Sequence, residues 1–448
     1  MQACAPRSSK WIIYILVAVT VLVFALSLRD ALKYPGIDLR CKVVGARRLL
    51  AGLDVYPSAG TPEPNPYFRM FNNNTYSPFL LLLYSPLCSL PYGVQRLIYF
   101  GLDWLFIAYM FARIGSWFPG GYSLVYKVLF VLLLIADFAL RIHSERGQCY
   151  ILIALLTVTA IHALKEPQDR WLGAISLGIL LLVRPTYLVA AAVLWVTGYR
   201  RHARLAVLTA AVGLLLTLCT FGPQVWIGYA KTITRMQKES VEGIFTPKLQ
   251  SPSRGAYRVV EGHDFSLALA TNYAAVGRTF TSLAGQATLR PVTVRVFRNA
   301  RILSSVNRIL LIATLLACFA IALLLRNKIT VAKLGFVFFS PVLIETFGPQ
   351  RYAYCDVTLA PILLLVIGFA FASDALGKTE RIIILGLVAV CAGSAIAVFV
   401  LSPSGKAIMI VSLIHWFYVV CSITLLLARI SYRTQPALQD RFHAAQGV

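Results

Sequence analysis

Ten predominantly apolar stretches, most of them about 20 residues long, punctuate this chain: 11–28, 94–116, 122–141, 147–164, 203–222, 303–325, 330–346, 354–373, 381–401 and 407–429. A helix rises about 1.5 Å per residue, so about 20 apolar residues cross a hydrocarbon core ~30 Å thick. At that depth backbone polar groups must be satisfied within the segment, which favours helices. The expected fold is an all-α polytopic membrane bundle forming a single domain over residues 1–448. Charged residues make up only 13% of the chain, against roughly 25% in soluble domains. A soluble enzyme, a coiled coil and a disordered tail protein are excluded.

Two segments leave the crossing count open. Residues 76–92 are apolar but short and hold three prolines, and residues 171–198 are interrupted by Arg184-Pro185. One reading makes 76–92 re-entrant or interfacial and 171–198 two short crossings. It gives 12 crossings with both termini cytoplasmic. KEPQDR (165–170), YRRHAR (199–204), RNK (326–328), GKTER (377–381) and RISYR (429–433) then all lie inside. The other reading has 76–92 cross once and 171–198 cross as one kinked helix, and it moves KEPQDR outside. The preference of cytoplasmic loops for Lys and Arg favours the first. Residues 29–75 then form a first extracytoplasmic loop, 223–302 a long second one, and 434–448 a cytoplasmic tail. The first span, with Arg7 and Lys10 before it and no small-residue cleavage site after it, reads as an uncleaved helix.

The chain holds 42 Lys and Arg against 18 Asp and Glu, a net charge of +24. Topology, anionic membrane lipid and nucleic acid could each account for that excess. The basic residues are scattered rather than massed on one polar domain, so no nucleic-acid partner is expected. The second outer loop has 11 basic and 4 acidic residues, a net +7 that topology does not demand. A phosphate-bearing partner would account for it. The nine cysteines include no C-x-x-C pair and suggest no disulfide framework.

Charged groups at membrane depth are functional candidates. Asp38 follows the first span. After it Leu39, Val43, Ala46 and Leu50 form an apolar stripe, with Arg40, Lys42, Arg47 and Arg48 between them. The pattern predicts an amphipathic helix lying in the membrane interface. Asp38 is then either its N-cap or a general base reaching a substrate at the bilayer surface. Tyr56, Tyr76 and Tyr84 are either sugar-stacking rings or interfacial belt residues. RIHSERGQCY (141–150) is either a solvated connection or a phosphate and sugar contact that includes Gln148. Arg184 either snorkels or faces a polar cavity beside backbone freed by Pro185. Arg351 in FGPQRYAYCD (347–356) is a helix-end charge or a phosphate ligand. Asn272 and Arg278 are loop polarity or site residues. No Walker A motif, G-x-S-x-G elbow, H-E-x-x-H or D-x-D is present, and the six histidines have no metal-ligand spacing. No metal and no cofactor is expected.

DLRCKVVGARRLLAGLDVYP, followed by NTYSPFLLLLYSPLCSLP, resembles the opening of glycosyltransferase family 87, whose members have the GT-C fold. GQCYILIALL, GAISLGILLLVRPTYL and the stretch from Asn272 to Arg278 resemble later segments of that family. The resemblance covers most of 35–205 and thins afterwards. It implies a GT-C bundle and a hexosyltransferase using a polyprenyl-phosphate sugar donor, with mannose as the sugar. The acceptor would be a lipid or glycan hydroxyl, and the site would face the outside of a bacterial plasma membrane. Asp38 matches the family's catalytic aspartate, Arg184 its lysine and Gln148 its glutamine. Arg278 and, by analogy, Arg351 would join Arg184 on the donor phosphate. Arg40, Tyr56, Tyr76, Gln148 and Asn272 would contact substrate. Tyr150 departs from the family, standing where an Asn is common. A secondary transporter or lipid flippase would also suit the broken helix at 171–198, but no internal repeat is evident. A third reading is a non-catalytic membrane scaffold, for which the Asp38 region needs no explanation.

Overall fold

The computed structural model describes residues 7–33, 36–56, 75–118, 120–136, 140–165 (except 141, 142 and 145), 169–242, 300–326 and 358–372, with isolated positions between 337 and 382. All regular secondary structure among the described residues is helical. The helices are α1 (Arg7–Lys33), α2 (Ile37–Leu50), α3 (Pro78–Tyr84), α4 (Tyr92–Gly115), α5 (Ser123–Ala136) and α6 (Tyr150–Lys165). After them come α7 (Arg170–Val183), α8 (Leu188–Val196), α9 (Arg200–Phe221), α10 (Pro223–Glu242), α11 (Ala300–Leu325) and α12 (Leu359–Ala372).

Among the described residues three helical segments are long and apolar enough to cross a membrane: Lys10–Leu32, Tyr92–Gly115 and Arg200–Phe221. The other apolar segments, Arg308–Leu324 of α11 among them, run 10–17 residues. The expected spans at 381–401 and 407–429, and most of 330–346, lie outside the described residues. In the ambiguous segment 76–92, α3 has only seven residues and ends in a 3-10 turn at Ser85–Leu87. At 1.5 Å per residue, seven residues rise only about 10 Å, far short of a bilayer core.

Close contacts fix the helix directions. Phe24 on α1 meets Phe100 and Trp104 on α4 at ring-centroid distances of 5.3 and 5.0 Å, while Arg96 reaches back to the Ala31 carbonyl, so α1 and α4 are antiparallel. Tyr99 meets the Gln148 carbonyl and Arg113 meets His162, so α4 and α6 run parallel. Gly173 backs onto Ala160 and Ala163, making α6 and α7 a tight hairpin. Gly178 lies on Ala206 and Thr209, and Gly213 lies on Leu182, so α7 and α9 are parallel. The chain therefore doubles back between them. Arg184 leaves the helix with extended backbone (φ −142°, ψ 93°), Pro185–Tyr187 form one 3-10 turn, and α8 returns. Pro185 causes the break because proline disfavours helical backbone in the residue before it.

Two ends result. One gathers the start of α9, the ends of α4 and α6, and the start of α7, where Arg113 pairs with Asp169 at 3.2 Å and shares His162 with Trp117. The opposite end gathers α2, the starts of α4 and α6, the end of α7 and the start of α10. Small residues let the α6–α7–α9 backbones approach, which is how helices associate where hydrophobic burial gives no net drive. A Cβ on Gly173 would stand 2.3 Å from that of Ala163, whereas Gly101 has nothing within 4 Å. Gly173→Ala should therefore lower stability by ~1–3 kcal/mol through overpacking. Gly101→Ala should be neutral within about 0.5 kcal/mol. Thermal unfolding of both variants in detergent checks the contrast.

Candidate active site

The site end is built around α2 and the turn at 143–151. A helix forms where the apolar stripe predicts one, but two expectations for it are corrected. It does not lie open on a surface. Arg40, Lys42 and Arg48 are buried along with Leu39, Val43 and Ala46. Nor is Asp38 the N-cap. Gly36 holds that position in the left-handed region (φ +59°), and Asp38 sits in the first turn. An Arg96 atom stands 2.7 Å from where a Gly36 Cβ would be, so both the backbone and the neighbour require glycine here.

Lys42, Arg47 and Arg48 of α2 are absorbed by the protein's own backbone. Arg47 donates to the Cys88 carbonyl at 3.1 Å and Arg48 to the Asp54 carbonyl at 2.6 Å. Lys42 Nζ donates to the Asp38 carbonyl at 3.1 Å and to the Gly147 carbonyl at 2.5 Å. It also faces the rings of Tyr76, Tyr84 and Tyr99 at 4.8, 5.4 and 5.8 Å. Lys42 is wholly inaccessible to solvent, and this burial pulls its ammonium below its ordinary pKa. Arg40 stacks over Tyr92 at 4.0 Å, on the α4 side of α2.

The 143–151 turn is tied down at every step. Arg96 donates to the Ser144 carbonyl at 3.0 Å, Lys42 to that of Gly147, and Tyr99 to that of Gln148. His143 Nε2 accepts the Ile151 N–H at 3.2 Å, satisfying an orphan donor in the first turn of α6. Accepting there leaves the neutral ring's proton on Nδ1, which faces the buried Asp103 carboxylate at 3.5 Å. Gly147 has φ +67°, and a Cβ there would stand 2.7 Å from that of Leu39. The turn is therefore not a solvated connection.

From this turn hang three contacts. Arg146 grips Asp38 through both carboxylate oxygens, its Nη2 lying 3.2 Å from Oδ1. Gln148 Oε1 accepts from the Tyr76 hydroxyl at 3.3 Å, and the Tyr56 hydroxyl donates to the Tyr76 carbonyl at 2.6 Å. The Tyr150 hydroxyl accepts from Arg184 at 2.5 Å, with the guanidinium carbon 4.9 Å from the same ring's centre. Tyr229 on α10 closes the circuit, its ring 5.8 Å from that of Tyr56. Burial raises the Tyr229 phenol to about 12, and the Arg184 charge acts in the opposite sense.

Asp38, Tyr56, Tyr76, Gln148 and Arg184 thus join one network, while Arg40 lies to its side on Tyr92. Tyr56 is buried rather than placed at an open interface. Asn272, Arg278 and Arg351 lie outside the described residues. Sequence reasoning missed Lys42 as an inward-facing cation, and also Arg96, Tyr99, Asp103 and Tyr229. Asp103 carried a usable signal, a carboxylate inside an apolar run. Among the described residues no group of three or more His, Cys, Asp or Glu side chains could hold a metal ion.

The family model for glycosyltransferase family 87 matches residues 74–326, just over half of the 448 residues. That stretch includes Gln148, Arg184, Asn272 and Arg278. Asp38, Arg40, Tyr56 and Arg351 fall outside it. No curated protein and no solved structure matches the chain.

His143 generates a pH prediction. Burial, with Lys42 and Arg96 nearby, holds its ring well below the ordinary histidine pKa. At this position the unfolded state therefore binds one more proton than the folded state below about pH 6.5, so the His143 contribution to stability falls with acidity there. The slope should reach ~1.4 kcal/mol per pH unit for one proton. Between pH 7 and 5 the wild type should lose stability more steeply than His143→Gln, by that one-proton share, as paired melting curves would show.

Proposed function

The chain belongs to glycosyltransferase family 87, and on that premise we propose that it moves mannose from a polyprenyl-phosphate donor to a hydroxyl of a lipid or glycan acceptor, with inversion. It is a membrane enzyme of the hexosyltransferase class. The observation that supports the finer reading is convergence. Asp38, Gln148 and Arg184 come from three separate segments and meet at one end of the bundle through Arg146, Tyr76 and Tyr150.

In this reading Asp38 is the general base. A carboxylate has about four lone-pair positions, and Arg146 takes one on each oxygen. Those that remain can receive the acceptor's proton as its oxygen attacks the anomeric carbon. The bond from that carbon to the phosphate oxygen breaks on the opposite face, which inverts the centre. The departing lipid phosphate is a stable anion, so positioned cations can receive it without a proton donor. Arg184 has that role, and Arg278 and Arg351 extend it from segments outside the described residues. Gln148, Tyr76, Tyr56, Arg40 and Asn272 line the sugar and acceptor. Membrane lipid surrounds the bundle and delivers the donor laterally.

Sidedness follows from charge. Arg113, Lys165, Arg170, Arg200, Arg201 and Arg204 gather at the end opposite Asp38. On the positive-inside rule we read that end as cytoplasmic and the Asp38 end as facing outward from the plasma membrane.

Membranes containing the chain, supplied with radiolabelled polyprenyl-phosphate mannose and a lipid acceptor fraction, test the reading. Asp38→Asn should lower transfer by ~100- to 10,000-fold, the usual worth of a general base. Full activity in that variant at wild-type abundance would overturn the assignment. Arg184→Ala should raise the donor KM by roughly 10-fold or more, the range of a charge-assisted hydrogen bond. An unchanged KM removes Arg184 from the donor phosphate.

A further inference from the structure

We propose that Lys42 is a positioning residue for this reaction, holding Asp38 and the Arg146 turn in register without touching substrate. The inference rests on the reading of Asp38 as base. Its geometry stands independently. Lys42 Nζ bridges the Asp38 carbonyl at 3.1 Å and the Gly147 carbonyl at 2.5 Å, groups 109 positions apart in the chain (147 − 38 = 109). The flanking residue Arg146 holds the Asp38 carboxylate, so the ammonium and the guanidinium fasten the same two segments at backbone and side chain.

Lys42 is walled off from any substrate. It has no exposed surface, and three tyrosine rings cover its remaining approaches. It is therefore not a phosphate ligand, although it stands in a basic stretch. An ammonium taken out of water costs several kcal/mol unless hydrogen-bonded and compensated. An apolar side chain of similar length would fill the same space. What such a side chain cannot do is tie the Gly147 carbonyl to α2.

This separates a positioning role from a structural one. Displacing a catalytic group by about 1 Å can lower a rate by ~100-fold, whereas leaving the Gly147 carbonyl without its donor costs only about 1–3 kcal/mol of stability. Lys42→Met should accumulate with a moderately lowered melting point, lose ~100-fold in kcat, and keep its donor KM within about twofold. Because Lys42 acts through Asp38, the Asp38→Asn, Lys42→Met double variant should be no slower than Asp38→Asn alone. Lys42→Gln, which keeps a shorter N–H donor, should fall between. Tyr99→Phe, which cuts a different tie of the same turn, should repeat the kcat-only loss.

Hydrogen–deuterium exchange provides a readout that needs no activity. In Lys42→Met the amides of residues 146–151 should exchange faster, while those of α7 and α9 should not change. Unchanged exchange in the turn overturns the proposal whatever the donor proves to be. So does a raised KM at constant kcat, an additive double variant, or failure of both Lys42→Met and Lys42→Gln to accumulate. An inactive wild type with normal exchange differences would instead reject the mannosyl-donor reading and leave the positioning role standing.

Discussion

Two buried cations donating to backbone carbonyls hold the polar end of this bundle together. Arg96 binds the carbonyls of Ala31 and Ser144, and Lys42 binds those of Asp38 and Gly147. Arg96 therefore joins the end of the first span, and Lys42 the helix after it, to the turn before α6. The carbonyls need partners because they lie away from water, where an unsatisfied polar group costs about 1–3 kcal/mol. The cations need the carbonyls because burial of an unpaired charge is costlier still. Gly36 and Gly147, both with positive φ, leave room for Arg96 to enter between the two segments.

Everything proposed for catalysis hangs from that junction. Arg146, Gln148 and Tyr150 project from one turn toward Asp38, Tyr76 and Arg184. Behind the turn, His143 and Asp103 form a second buried polar pair, with the Tyr99 ring stacked on the imidazole at 6.5 Å. The helices deliver these groups to one end because their directions alternate. α7 rises to Arg184, α8 returns, and α9 rises again beside α7. Close packing at Gly173, Gly178 and Gly213 sets the registers that bring Arg184 level with Tyr150.

Much of this was legible in the chain. The apolar runs marked the long helices, and Arg184-Pro185 marked a break whose mechanism is local to those two residues. The basic stretch after Asp38 was correctly read as helical. Its surroundings were misread, because a stripe of apolar residues between cations has the same pattern on a membrane surface as inside a bundle that supplies carbonyls and aromatic rings to its cations. The N-cap reading of Asp38 failed for a related reason. Glycine at position 36 can start the helix through backbone freedom, which leaves the carboxylate available for Arg146. The cluster at 141–150 looked equally suited to water or to substrate, and burial decided it.

The sequence alone determined an all-helical membrane chain, its break at Arg184-Pro185, its family, and a short list of polar residues worth placing. These follow from composition and from periodicities that act within a few turns of helix. Only the tertiary structure decided which cations face inward, that Arg146 grips Asp38, and that Lys42 is enclosed. Those contacts join residues 105 and 108 positions apart. Whether a charge meets water or a carbonyl depends on the partner that packing brings to it, and no local pattern encodes that partner.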